Sequence, residues 1–215
     1  MQNESNHGPL SSLAERVIHR VVQNSAFFYY ARTHFYWGTM KRMRQALDLR
    51  PGERILDVGC GSGMGAGLTT GTYIGVDTEM SYLRFASGRL RRKPTHSFAC
   101  MSAMQLAFAD NTFDKAMMLN LVHHLDEEIL DRFLIELTRV VRTQVFILDH
   151  APDHDNAVSG WLLSLDRGEH IRRRADLRRL LERRYDIANE EVFFNLEHTI
   201  SHVLFTLTPR RPAAA

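Results

Sequence analysis

The chain changes its hydrophobic rhythm at Pro51-Gly52. Before that point, over about residues 13–49, apolar positions recur at helical spacing, and many are aromatic: Phe27, Phe28, Tyr29, Tyr30, Phe35, Tyr36 and Trp37. After it, short apolar runs at residues 54–58, 73–76, 96–100, 115–120 and 144–149 have the length and density of buried parallel strands, with the third the weakest. A helix is predicted between the last two. Asp126 is its N-cap, Glu127 and Glu128 lie in the first turn, and Ile129, Leu130, Phe133, Leu134, Leu137, Val140 and Val141 follow helical spacing. Strands alternating with helices imply a parallel sheet covered on both faces. The end departs from this rhythm. Residues 174–185 read as a helix with Leu177, Leu180 and Leu181 on one face, and residues 191–196 and 199–208 as consecutive strands forming a hairpin. Residues 1–12 and 210–215 are expected to be tails.

A length of 215 residues fits one structural domain. Residues 1–49 are expected to form a tail and an aromatic helical cap, and residues 50–209 the ligand-binding domain. The formal net charge is only +2, which argues against a nucleic-acid partner. The basic residues nevertheless cluster, at Arg89, Arg91, Arg92 and Lys93 and more densely from Arg167 to Arg184. Cys60 and Cys100 are the only cysteines; they make neither a disulfide framework nor a zinc site, and both are expected to be packing residues. No apolar run is long enough for a membrane span, and the N-terminus lacks a signal-peptide layout, so a cytoplasmic monomer or homodimer is expected.

The candidate chemistry lies in Asp57-Val58-Gly59-Cys60-Gly61-Ser62-Gly63. This segment leaves a strand, and it is expected to turn at once into a helix opened by Gly63. Glycines permit a tight turn and let a ligand approach the backbone. The spacing is GxGxG, whereas dinucleotide loops carry GxGxxG. Asp77 ends the next strand, where a carboxylate can accept both ribose hydroxyls of a nucleoside.

Residues 53–80 resemble motif I and the acidic strand end of class I S-adenosylmethionine-dependent methyltransferases. The likeness continues through Leu106 to Asp114 and through Asn120-Leu121-Val122-His123-His124-Leu125, covering about residues 50–150. It implies an α/β, three-layer, Rossmann-like methyltransferase fold. Its seven-stranded, mostly parallel sheet has the order 3-2-1-4-5-7-6, with strand 7 antiparallel, and here an N-terminal helical cap is added. It also implies S-adenosyl-L-methionine as cofactor and S-adenosyl-L-homocysteine as product. By the same resemblance Asp57 orients the loop and reaches the cofactor's amino end. Gly59, Cys60 and Gly61 pass beneath it, Gly63 opens the helix, Asp77 binds ribose, and Thr78 and Glu79 flank the adenosine. Ser102, Ala103 and Met104 stand at the adenine end, where many relatives carry an acid, and Asn120 lines the sulfonium.

Methyl transfer asks for in-line positioning, and for a base only when the acceptor must lose a proton. His123 is the candidate base, at the carboxyl edge of the sheet. Tyr30, Tyr36 and Trp37 are candidates for an apolar lid with polar tips. Asp149 and His150 are placed to face the acceptor, and Arg172 to hold an anionic group on it. A magnesium site in Asp149-His150-Ala151-Pro152-Asp153-His154-Asp155-Asn156 is disfavoured because Asn120 replaces the aspartate that catechol-type relatives carry, so no metal is expected. His198 and His202, four apart on a strand, are expected to pack within the sheet. The expected function is methylation of a small-molecule acceptor on oxygen, nitrogen or carbon. The alternatives are a cofactor-binding regulatory or partner subunit and, behind it, an RNA or protein methyltransferase. The spacing and the later segments oppose a nicotinamide oxidoreductase.

Overall fold

The computed structural model describes residues 37–152, 170–194 and 201–211. Along the chain these form α1 (Trp37–Leu47), β1 (Arg54–Val58), β2 (Thr72–Asp77), α2 (Met80–Leu90), β3 (His96–Cys100), β4 (Phe113–Leu119), α3 (Glu127–Val140), β5 (Val141–His150), α4 (Arg174–Leu181), β6 (Tyr185–Phe194) and β7 (Ser201–Pro209). The seven strands make one sheet in the order β3-β2-β1-β4-β5-β7-β6. β1, β2, β3, β4 and β5 run parallel, while β7 pairs antiparallel with both β5 and β6. This is the architecture and strand order expected from the sequence.

Alternation along the strands divides the core into two layers. Leu56 and Val58 of β1, Ala116 and Met118 of β4, and Val145 and Ile147 of β5 pack with Leu130, Phe133, Leu134 and Leu137 of α3 and Leu177 and Leu181 of α4. Ile55, Met117, Leu119, Phe146 and Leu148 occupy the opposite face, under Met43 and Leu47 of α1. Period-two side chains on strands clad on both sides produce this division. β3, at the sheet edge, has no fully buried residue, in keeping with its weak sequence signal. The α3 cap is as expected: the Asp126 carboxylate accepts from the Ile129 amide at 2.7 Å.

Several boundaries differ from expectation. The glycine loop does not enter an α-helix at Gly63; it leads to a short 3-10 helix, Gly65–Leu68, and then to β2. Gly65 and Gly67 weaken a helix there, and few residues separate the loop from Thr72. α4 ends at Leu181, and β6 starts at Tyr185, before the predicted strand. Its outward positions are polar, so the apolar pattern hides its first half, and the register shifts between Ile187 and Asn189. β5 follows α3 without a break, beginning at Val141. α2 had no counterpart among the predicted elements. Cys60 is buried as expected, but Cys100 is exposed, because it ends the edge strand.

The arginine-rich stretch is largely neutralised by local acids. Arg174 and Arg178 both reach Glu190, Arg183 reaches Glu127, and Arg184 makes two 2.8 Å bonds to Asp131. No described helix is long and apolar enough to cross a membrane.

Candidate active site

The carboxyl ends of β1, β2, β4 and β5 bring together most of the described residues singled out in the sequence. Gly59, Gly61 and Gly63 have φ of 68°, 51° and 77°, so the loop uses left-handed backbone at each. At Gly59 this is reinforced by contact: a Cβ would lie 2.8 Å from Leu121 Cδ1. The amides of Gly59 and Cys60 both donate to the Val76 carbonyl, at 2.9 and 3.0 Å. The Asp77 carboxylate accepts from Gly61 N at 2.8 Å and from Glu79 N at 2.9 Å. Glu79 in turn caps α2 by accepting from Ser81 N. Asp77 therefore ties the loop to the start of α2 while standing at the strand end.

Asp57 lies beneath the loop and is fully buried. Its Oδ2 accepts a 2.5 Å bond from Tyr73 OH, and its Oδ1 has no hydrogen-bond partner among the described residues. Burial pushes the carboxyl pKa up to about 7, against the lowering effect of the Tyr73 bond and with a further upward push from Asp77. Sequence reasoning gave Asp57 the role of orienting the loop; among the described contacts Asp77 does this, and Asp57 engages Tyr73. An open cleft lies above, lined by Asp57, Gly59, Cys60, Gly61, Ser62, Met64 and Leu119.

Asn120 leaves β4 with φ 54°. Its amide donates to Leu148 O at 2.8 Å, and its buried side-chain oxygen and nitrogen have no hydrogen-bond partner among the described residues. At the far end of the site, Ser102 Oγ accepts from Met104 N at 3.2 Å. Met104 is exposed, and Ser102 and Ala103 are half-buried. The loop that follows is anchored to α3, where Arg139 donates to the Leu106 and Phe108 carbonyls and Glu136 accepts from Leu106 N.

His123, just after β4, forms a buried cluster with Asp149 and His150, the last two residues of β5. Asp149 Oδ1 is 2.6 Å from His123 Nδ1 and accepts from His150 N at 2.7 Å, while Oδ2 accepts from His123 N at 3.1 Å. Burial alone would raise the Asp149 pKa. The His123 hydrogen bond, the neighbouring imidazoles and the His150 amide outweigh it and hold the carboxyl below the usual range. Asp149 thus stays ionised and accepts from His123 Nδ1, so that in the neutral tautomer that keeps this bond Nε2 is the nitrogen with a free lone pair. The His123 ring lies 4.2 Å from that of His124 and 4.7 Å from that of His150, and His202 adds a ring 5.3 Å from His150.

Arg172 was expected to face an acceptor. Its guanidinium donates to the carbonyls of Leu125 at 2.6 Å, Val122 at 3.1 Å and His170 at 3.2 Å, and the His170 amide bonds His123 O. Residues 170–172 therefore strap the segment that carries His123. Tyr73 and this strap were not identified from sequence: a tyrosine inside an apolar strand and one arginine among many carry no distinguishing pattern. Tyr30, Tyr36 and His198 lie outside the described residues, and Trp37 is described only as the first residue of α1.

The donor set suits a nucleoside carrying an amino-acid end. It combines a strand-end carboxylate, a loop with exposed backbone, a buried acid with an unengaged oxygen and an unpartnered amide at Asn120. Residues 56–148 match the family model described as a methyltransferase domain. The methyltransferase GfsG of Streptomyces halstedii is 30% identical over 109 residues, which are 47% of this chain and 38% of that protein. The 2-phytyl-1,4-naphtoquinone methyltransferase of Synechocystis is 36% identical over 114 residues, 47% of each. The matched part thus spans less than half the length of these curated relatives. Among solved structures, magnesium protoporphyrin IX methyltransferase from Synechocystis with bound S-adenosylhomocysteine aligns with a TM-score of 0.67 at 14% identity, covering 91% of this chain and all of that one. Residues 56–148 are therefore similar to a methyltransferase domain, in a Rossmann-like fold shared with a methyltransferase solved with S-adenosylhomocysteine bound.

Proposed function

We propose that the protein transfers a methyl group from S-adenosylmethionine to a small-molecule acceptor that gives up a proton during transfer. The observation that carries this is the buried Asp149–His123 pair at the carboxyl edge of the sheet, one short segment from Asn120. When bound, the cofactor supplies an activated methyl group. Asp57, Gly59, Cys60, Gly61 and Gly63 would hold its amino-acid and ribose parts, Asp77 its ribose hydroxyls, Thr78 the flank of its adenosine, Ser102, Ala103 and Met104 its adenine, and Asn120 the region of the sulfonium. His123 takes the acceptor's proton on Nε2, and Asp149 keeps Nδ1 protonated and stabilises the cation that results. Arg172 holds the His123 segment through carbonyls, so its part is to position the base; an anionic group on the acceptor would have to compete for it.

The relative named as acting on a naphtoquinone supports a small acceptor. Hydroxylated or quinol-type molecules fit a base better than an amine that is already nucleophilic. The test is transfer of labelled methyl from S-adenosylmethionine to a panel of phenols, quinols, hydroxylated lactones and phosphoethanolamine. Label should appear in at least one hydroxylated member, with S-adenosylhomocysteine as co-product. Tight S-adenosylhomocysteine binding without transfer to any member would favour the cofactor-binding partner subunit instead.

A further inference from the structure

Tyr73 sits where nothing about a generic nucleoside pocket requires a phenol. It pairs across the sheet with Ile55, and Gly75 pairs with Asp57, so Tyr73, Gly75, Ile55 and Asp57 share one face. A Cβ at Gly75 would lie 2.8 Å from Cys60 Sγ and 3.0 Å from Phe98 Cδ1, so the bare glycine lets both side chains close against β2, and the Tyr73 hydroxyl on the same face reaches the carboxyl of Asp57. The ring is held between neighbours, stacked 5.2 Å from His96 and tilted 5.7 Å from Phe98. On the other side the 3-10 turn seals the carboxyl: a Cβ at Gly65 would lie 2.4 Å from Asp57 Oδ2. Oδ2 is thus fully committed, and Oδ1 is the oxygen left for a ligand.

We propose that Tyr73 is a positioning residue for cofactor capture: its hydroxyl clamps Asp57 Oδ2, presents Oδ1 to the cationic amino-acid end of the cofactor, and makes that capture release a proton. This rests on the cofactor assignment above and adds the role of Tyr73 and the proton. The groups that face the pair are few. They are Asp77 of β2, which opposes ionisation of Asp57, Cys60 of the loop, whose thiol burial keeps neutral, Arg89 of α2, whose charge reaches Tyr73, and His96 of β3 behind the ring. Arg89 is directed at the loop, donating to Gly63 O at 2.7 Å. With Asp57 titrating near 7, a sizeable fraction of the empty protein carries it protonated at neutral pH. A cationic ligand binds the ionised form, and the hydroxyl of Tyr73 donates more strongly to carboxylate than to carboxylic acid. The proton leaves Asp57 for solvent as the ligand's cationic end enters.

The test is calorimetric titration of the intact protein with S-adenosylhomocysteine, with adenosine as the ligand that lacks the amino-acid end, in buffers of different ionisation enthalpy. S-adenosylhomocysteine binding should release a fraction of a proton at pH 7 and weaken about tenfold from pH 8 to pH 6, whereas adenosine binding should be flat. Tyr73→Phe should stay folded, bind adenosine unchanged and bind S-adenosylhomocysteine roughly fivefold to tenfold more weakly at pH 7.5, with its pH profile displaced upward. Asp57→Asn should bind weakly and without proton release. Proton-neutral binding of S-adenosylhomocysteine by the wild type, or a folded Tyr73→Phe with the wild-type profile, would overturn the proposal and leave the cofactor assignment intact. Failure of both ligands to bind the wild type would remove the assignment itself and the proposal with it.

Discussion

Replacing Asp149 with asparagine changes one atom and tests whether the His123 pair is catalytic or only structural. The carboxylate accepts from three buried donors: His123 Nδ1 at 2.6 Å, His150 N at 2.7 Å and His123 N at 3.1 Å. An asparagine oxygen in the Oδ1 place keeps the first two in weaker, neutral form and turns its NH2 toward the His123 amide, leaving that donor unsatisfied at a cost of about 1–3 kcal/mol. The flipped amide keeps the bond to His123 N but meets His123 Nδ1 as a donor, which forces the imidazole proton onto Nε2. Either arrangement costs about 2–3 kcal/mol in all once the lost charge is included, which for a chain of this size lowers the Tm by roughly 4–12 °C. The second also destroys the base, because Nε2 can no longer accept a proton. Turnover should therefore fall by roughly 10²–10⁴, with S-adenosylhomocysteine affinity unchanged within about twofold. Differential scanning fluorimetry, calorimetric titration and labelled-methyl transfer read the three quantities separately. A folded variant with wild-type turnover on an acceptor that must be deprotonated would refute the base assignment, even if the Tm fell as expected.

Three further outcomes follow from the same geometry. Gly65→Ala places a methyl 2.4 Å from both Asp57 Oδ2 and Met117 Cε, and should cost about 1–3 kcal/mol by thermal melt together with most of the cofactor affinity. Asp77→Ala removes the acceptor of Gly61 N and Glu79 N as well as the strand-end carboxylate, and should weaken S-adenosylhomocysteine by roughly 10–100-fold while shifting the Tm by only a few degrees. Asp126→Ala deletes the α3 cap bond to Ile129 N and should lower stability by about 1 kcal/mol, a Tm change of roughly 2–4 °C, with no effect on cofactor affinity.

The pH dependence of the empty protein carries its own sign. The folded-state pKa of Asp57, near 7, is raised above the ordinary carboxylate value. The group's contribution to stability is therefore fully present below about pH 4 and is lost as pH rises through about 7. Asp57→Asn should flatten that part of the profile. Asp149 runs the other way: its pKa is lowered, so its contribution is present above the unfolded carboxylate range and is lost as pH falls toward the folded value.

The strand order followed from the family resemblance, while sequence pattern alone determined the alternation of strands and helices, the glycine loop and the strand-end acid. These depend on local pattern: apolar runs of strand length, an N-cap followed by a helical stripe, and glycines where the backbone must adopt left-handed φ. It also brought His123, Asp149, His150 and Arg172 forward as candidates, since each follows a strand end or opens a helix. Pattern could not resolve the first half of β6, whose polar outward positions mask the strand, or the collapse of the expected loop helix into a short 3-10 turn. Only the tertiary structure decided which candidates meet. Asp149 reaches His123 across 26 positions of sequence because β4 and β5 lie side by side, and Arg172 spends its guanidinium on carbonyls of the same segment. The pairing of Tyr73 with Asp57 arises in the same way, from the parallel register of β1 and β2. Local periodicity assigns each residue to an element and a face; the distance between two faces, and with it the ionisation of a buried acid, exists only once the sheet has formed.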